Sequence, residues 1–211
     1  MRSRLLFPVL VLLAALASPA HGQDPEGVRL GLLYQPEYQP GFVVLPFAGG
    51  GSAATTAGII RQDLENSDRF KMAAATGATP GQTVNVGLWK ERGADWVLEG
   101  TVAPRAGGLT LRIVLHDAVY GQKKLDQPFN LPAVGDPTFR LAVHAISDEV
   151  VRVITGDPGM AASRIAFVLQ GRGSKEIYLV DSDGENVQRV TTDGSLALSP
   201  AWSPDGTKLA Y

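Results

Sequence analysis

The chain has 211 residues, 45% of them hydrophobic and 19% charged, with a formal net charge of −2 and no cysteine. That balance suits one or two globular domains and argues against a disordered chain. The near-neutral charge offers nothing to attract nucleic acid or an anionic membrane, and without cysteine there is no disulfide, thiolate metal site or lipid-bearing amino-terminal cysteine.

Arg2 and Arg4 form a basic start, Leu5 to Leu16 is apolar apart from Pro8, and the small residues Ser18, Ala20 and Gly22 follow. This is the pattern of a secretory signal peptide over residues 1–22, cleaved after Ala20 or Gly22. The apolar run is too short to cross a hydrocarbon layer of about 30 Å. No second run of spanning length exists, so the mature chain is expected to be exported and soluble, without direct membrane insertion. Residues 23–41 read as an amino-terminal arm and linker. Val28-Arg29-Leu30-Gly31-Leu32-Leu33-Tyr34 has two readings. It is an edge strand docked on its own domain, which composition favours because termini need tying down, or a peptide offered to a partner by strand addition.

Residues 42–156 mix helices and strands. Phe42 to Phe47 is β-rich, and Pro46 marks an edge position or the strand's end. Gly49-Gly50-Gly51 reads as a flexible turn into a helix from Thr55 to Asn66, whose Ala57, Ile60 and Leu64 share a face. The layout resembles a phosphate cradle, but neither a closing Gly-Lys-Ser/Thr nor a G-x-G-x-x-G spacing is present. Arg69 to Met72 is extended and Ala73 to Gly81 is loop. Thr83 to Arg92 reads as a second helix with Val84 and Leu88 on one face and Gly93 just past its end. Trp96 to Val102 is a strand, and Leu109, Leu111, Ile113 and Leu115 alternate as a half-buried strand, so the Pro104–Gly108 turn closes an antiparallel hairpin. Lys123 to Asn130 is a weaker strand. Asp136 and Pro137 read as N-cap and first residue of a third helix, whose stripe runs through Phe139, Val143, Ile146, Val150 and Val153 until Gly156 and Pro158 stop it. The fold class is an α/β (α+β) domain with a mixed sheet and about three helices.

After Gly159 the pattern becomes all β. Strands at Arg164–Leu169, Glu176–Asp181 and Asn186–Thr191 are separated by the turns Gly171–Ser174 and Ser182–Glu185. Leu198 to Tyr211 forms a hairpin around the tight turn Ser203-Pro204-Asp205-Gly206, with Trp202 and Tyr211 expected in inter-blade packing. Arg164-Ile165-Ala166-Phe167 and Lys208-Leu209-Ala210-Tyr211 repeat one pattern at an offset of 208 − 164 = 44 residues. Short strands recurring at about 40–45 residues indicate β-propeller blades. Residues 160–211 therefore read as a first blade and the start of a second in an incomplete, truncated propeller. A lone blade is expected to expose the apolar face its neighbours should cover.

The blade sequence Ile177 to Gly184 together with Leu198 to Tyr211 resembles the repeat of the TolB propeller. Val43-Val44-Leu45-Pro46-Phe47, Arg92 to Gly100 and His144 to Val150 look like the amino-terminal domain of the same family, in the same order. The resemblance implies a periplasmic, non-enzymatic scaffold of the Tol–Pal envelope system that links TolA-like and Pal-like proteins, maintains outer-membrane integrity and supports cell division. It assigns TolA binding to the arm at Val28, Arg29 and Leu30, departing from the family at Gly27, where an acidic residue is usual. It assigns the blade motif to Trp202, Ser203, Pro204, Asp205 and Gly206, and it implies no cofactor.

No catalytic constellation competes strongly. His21, His116 and His144 form no metal motif, no G-x-S-x-G elbow is present, and Asp148 and Glu149 read as a solvated helix face. The alternatives are an exported propeller-containing serine hydrolase and a ligand-sensing propeller, each with its remaining domain outside this chain.

Overall fold

The computed structural model describes residues 38–211 apart from Arg172. The expected signal peptide, His21 and the Val28–Arg29–Leu30 arm lie outside the described residues.

The first sheet is mixed, in the order β2-β1-β3-β4-β5. It is built from β1 (Gly41–Val44), β2 (Lys71–Met72), β3 (Trp96–Arg105), β4 (Gly108–Asp117) and β5 (Gln122–Leu131). β1 is parallel to both β2 and β3, while β3, β4 and β5 form an antiparallel meander. Of the two readings of Pro46, the strand's end is the one observed; β1 is central, not an edge. Beyond β1 the backbone keeps bonding to β3, through Leu45 N to Leu98 O at 2.8 Å and Ala48 N to Gly100 O at 2.9 Å. Proline without an N–H is tolerated because its neighbours carry the pairing.

Side-chain alternation divides this sheet into two faces. Phe42, Val44, Leu98, Val102, Leu111, Ile113 and Leu115 meet helices α1 (Gly50–Asn66) and α3 (Phe139–Thr155) in the main core. Val43, Leu45 and Val97 point the other way, onto Trp89 of α2 (Val86–Glu91) and the alanine-rich loop before it. Farther along that second face Glu99, Thr101, Arg112 and Asp126 line an open groove.

Three helix boundaries differ from the sequence reading. α1 starts at Gly50, five residues before Thr55, because Ala53 and Thr56 are buried and tertiary packing overrides the poor helix propensity of glycine. Gly49 makes the entry: its φ is 108°, and a Cβ there would lie 1.9 Å from Val102 O. α2 starts at Val86, with Asn85 as N-cap accepting from Leu88 N at 3.1 Å. Its buried residue is Trp89, while Leu88 is exposed. α3 starts at Phe139 with Thr138 in the N-cap position, two residues later than Asp136 and Pro137 suggest. The Asp136 carboxylate still accepts from Thr138 N at 2.8 Å, an Asx-type contact just outside the helix. Gly156, left-handed at φ 82°, ends α3.

A second sheet, antiparallel in the order β6-β7-β8, comprises β6 (Arg164–Gln170), β7 (Lys175–Asp181) and β8 (Gln188–Arg189). A hairpin of β9 (Ala201–Trp202) and β10 (Leu209–Ala210) follows. Residues 38–211 pack as one unit. Ile165, Leu169, Leu196, Leu198, Trp202 and Tyr211 are exposed on the second sheet and hairpin.

Two glycines in the first sheet and its helices should respond to alanine with opposite sign. At Gly100 a Cβ would sit 2.6 Å from the Phe47 ring, whereas at Gly58, mid-helix and exposed, it meets nothing within 4 Å. Gly100→Ala should cost roughly 1–3 kcal/mol by overpacking. Gly58→Ala should stabilise by roughly 0.4–1 kcal/mol. Urea denaturation of the two variants checks both signs.

Candidate functional site

α3 carries a polar row beside its apolar stripe. Arg140, His144 and Ser147 step by four and three residues, which places them along one side of the helix. His144 has no solvent exposure and is held between two elements distant in sequence. Its Nδ1 lies 2.9 Å from both carboxylate oxygens of Asp63 on α1. Its Nε2 lies 3.4 Å from Asp183 Oδ2 in the β7–β8 turn, within ion-pair reach but without hydrogen-bond geometry. Ser147 Oγ donates to Asp63 Oδ2 at 2.6 Å, and Arg140 Nη2 pairs with Asp183. Asp63, His144 and Asp183 are all at least 95% buried in their side chains.

Burial alone would depress the His144 pKa. The hydrogen bond and charge of Asp63, joined by the charge of Asp183, outweigh burial and the opposing Arg140, so the pKa stands above the ordinary 6.5. Burial likewise pushes Asp183 up, but hydrogen bonds from Arg140 and the Glu185 amide, with the charges of Arg140 and His144, hold it below the ordinary carboxylate value.

Serine, histidine and aspartate are the residue types of a hydrolytic triad, but the order of contacts is wrong. The serine donates to the aspartate instead of the histidine, and all three are buried, so no nucleophile faces a substrate. The cluster instead joins α1, α3 and the β7–β8 turn. A second set of contacts supports it: Asp148 accepts from Ala161 N at 2.7 Å and Ala162 N at 2.9 Å, and Ser182 Oγ donates to Ala161 O at 2.6 Å. Asn186 Nδ2 reaches Pro137 O at 3.1 Å. Asp148 is thus not a solvated-face carboxylate; it anchors the connection between the sheets. Beside it runs a groove of about 390 Å³ lined by Asn66, Arg69, Asp148, Met160, Ser163 and Ser182.

His116 is separate from this joint and pairs with Glu99 at 2.8 Å. Among the described residues, no group of three or more His, Asp or Glu side chains is placed to hold a metal ion. No helix among them is long and apolar enough to cross a membrane.

The blade-motif residues lie together in the β9–β10 hairpin. Gly206 N bonds to Ser203 O at 2.8 Å, closing the turn around Pro204 and Asp205. Ser203 Oγ, Thr207 N and Thr207 Oγ1 all donate to Asp205 Oδ1 and hold its carboxyl at about 2. Trp202 is 39% exposed at the start of this turn. In the second sheet, Glu176 of β7 is buried and accepts from Thr191 Oγ1 and Gly194 N while pairing with Arg189, tying three segments together.

The buried joint escaped the sequence reading because its members come from segments 81 residues apart. A signal was present: Asp63 lies beside Leu64 and three residues after Ile60, a carboxylate at the border of an apolar stripe.

A mixed α/β sheet with α1 and α3 on one face, followed by an antiparallel β unit joined to it through α3, defines a protein of α/β-plus-β architecture. Residues 37–124 match the family described as the TolB amino-terminal domain. The Tol-Pal system protein TolB of Polaromonas sp. is 35% identical over 208 residues, covering 96% of this chain and 47% of that protein. That of Bordetella avium is 35% identical over 210 residues, covering 96% and 46%. The crystal structure of TolB from Acinetobacter baumannii aligns with a TM-score of 0.69 at 29% identity, covering 82% of this chain and 44% of that one. The chain carries a TolB amino-terminal domain over residues 37–124, and it spans about half the length of the curated relatives it matches.

Removing the acceptor at the joint would strip His144 Nδ1 of its partner and leave Ser147 Oγ only the long contact to Val143 O at 3.4 Å. Asp63→Ala should cost about 3–5 kcal/mol. Asp126→Ala, which removes an exposed pair with Arg112 at 2.7 Å, should cost far less, because solvent screens the pair. Chemical denaturation of the two variants makes the comparison.

Proposed function

We propose that this chain belongs to a periplasmic, non-enzymatic scaffold of the Tol–Pal system that links a TolA-like and a Pal-like protein, maintaining outer-membrane integrity and supporting cell division. The observation that carries this reading is the TolB amino-terminal domain match at residues 37–124, with relatives named Tol-Pal system protein TolB along nearly the whole chain. In this reading residues 1–22 are a signal peptide, and residues 23–41 are an arm whose Val28, Arg29 and Leu30 bind the TolA-like partner by strand addition. Residues 42–156 form the TolB-type domain. Residues 160–211 form the first blade and the start of the second in a β-propeller that carries the Pal-like contact.

Two features of the described residues support the blade assignment. β6, β7 and β8 form an antiparallel meander, and the basic-aliphatic-Ala-aromatic pattern recurs on strands at β6 and β10. The apolar side chains exposed there, Trp202 and Tyr211 among them, are suited to packing against neighbouring blades.

The arm assignment is tested with the mature, full-length exported protein and the periplasmic part of TolA from the same organism. Deleting Val28–Leu30 should weaken TolA binding by at least about tenfold, the equivalent of roughly 1.4 kcal/mol. Pal binding should be unchanged. TolA binding that survives the deletion unaltered contradicts the arm assignment.

A further inference from the structure

The His144 ring has acceptors on both sides. Nδ1 faces two oxygens of Asp63 at 2.9 Å, so pairing with this carboxylate puts a proton on Nδ1 whether the ring is neutral or charged. Nε2 faces Asp183 Oδ2 at 3.4 Å and has no hydrogen-bond partner. A neutral, Nδ1-protonated ring, itself without solvent exposure, would aim a lone pair at a carboxylate; only the imidazolium places a proton on each nitrogen opposite negative charge. The charges then balance: Arg140 and His144 against Asp63 and Asp183, two of each sign across three elements.

We propose that His144 is held as an imidazolium in the folded chain and that its proton clamps the β7–β8 turn, and with it the second sheet, onto the α1–α3 face, making this junction a pH-sensitive joint. The charged groups facing the ring are Asp63 from α1, Asp183 from the β7–β8 turn and Arg140 from α3 itself. Ser147 completes the polar wall by donating to Asp63. The contacts of Asp148 with Ala161 and Ala162 do not involve the ring, so the connection between the sheets persists when the clamp opens.

The direction with pH follows from the two shifts. The raised His144 pKa contributes stability that is fully present below 6.5 and is lost as pH rises through the folded value. The lowered Asp183 pKa contributes stability that is present above 3.8 and is lost as pH falls through the folded value. The clamp is therefore tightest between these two ordinary values and opens on the alkaline side by losing the histidine proton.

Long-range nitrogen–proton NMR on the full chain reads the state of each ring nitrogen, with His144→Gln used only to assign the signals. At about pH 6.5, the ordinary midpoint of histidine, His144 should be predominantly protonated on both nitrogens. An unprotonated Nε2 at that pH in the folded chain overturns the proposal. In Asp183→Asn the His144 midpoint should fall by about one unit or more, with an unchanged midpoint counting against the clamp. Amide exchange at Ser182, Gly184 and Glu185, corrected for the intrinsic rate, should accelerate at least about tenfold as pH passes the wild-type midpoint. Protection that runs flat through that midpoint overturns the proposed opening.

Discussion

The contact on which this structure turns is the one between His144 and Asp63. α1 and α3 already share an apolar core through Ile60, Leu64, Phe139, Val143 and Val150. Apolar packing is non-directional, however, and tolerates sliding. A buried imidazole within 2.9 Å of both oxygens of one carboxylate does not tolerate it, because any shift leaves a charge unpaired in the interior. The ion cluster thus adds orientation where the apolar stripe adds most of the burial. The same ring reaches toward Asp183, and Arg140 binds that carboxylate, so the register of α3 on α1 also sets where the second sheet begins.

This arrangement makes α3 the organising element of the described residues. Its stripe covers the first sheet, its polar row holds the β7–β8 turn, and Asp148, one residue after Ser147, receives the amides of the connecting segment. Gly159 packs so closely against Asp148 that a Cβ would fall 2.2 Å from Oδ1. The two sheets are joined by side chains as well as by the chain itself.

What was legible in the sequence was local and periodic. The alternation of Leu109, Leu111, Ile113 and Leu115 is β4, whose last three apolar members are fully buried. The four-three spacing from Phe139 onward is the buried stripe of α3. The turn at Ser203–Gly206 closes as its residue types require. What was not legible depended on long-range packing. Gly50 and Gly51 have the lowest helix propensity short of proline, yet they lie in α1 because the buried Ala53 and Thr56 behind them dock on the sheet. The importance of His144 was hidden for a related reason. Nothing within a few residues announces a partner at Asp63 or at Asp183, and only the fold brings the three together. The blade motif was readable as a turn, while the covering of Trp202 and Tyr211 belongs to the proposed propeller.

The central claim, that His144 and Asp183 act as one joint between the sheets, is tested most directly by a double-mutant cycle on stability. His144→Gln, Asp183→Asn and the double variant would each be unfolded in urea near neutral pH. Coupled residues should give an interaction energy of about 1 kcal/mol or more, the double variant costing less than the sum of the singles. Additivity within about 0.3–0.5 kcal/mol would mean that the two side chains do not sense each other, and it would contradict the joint.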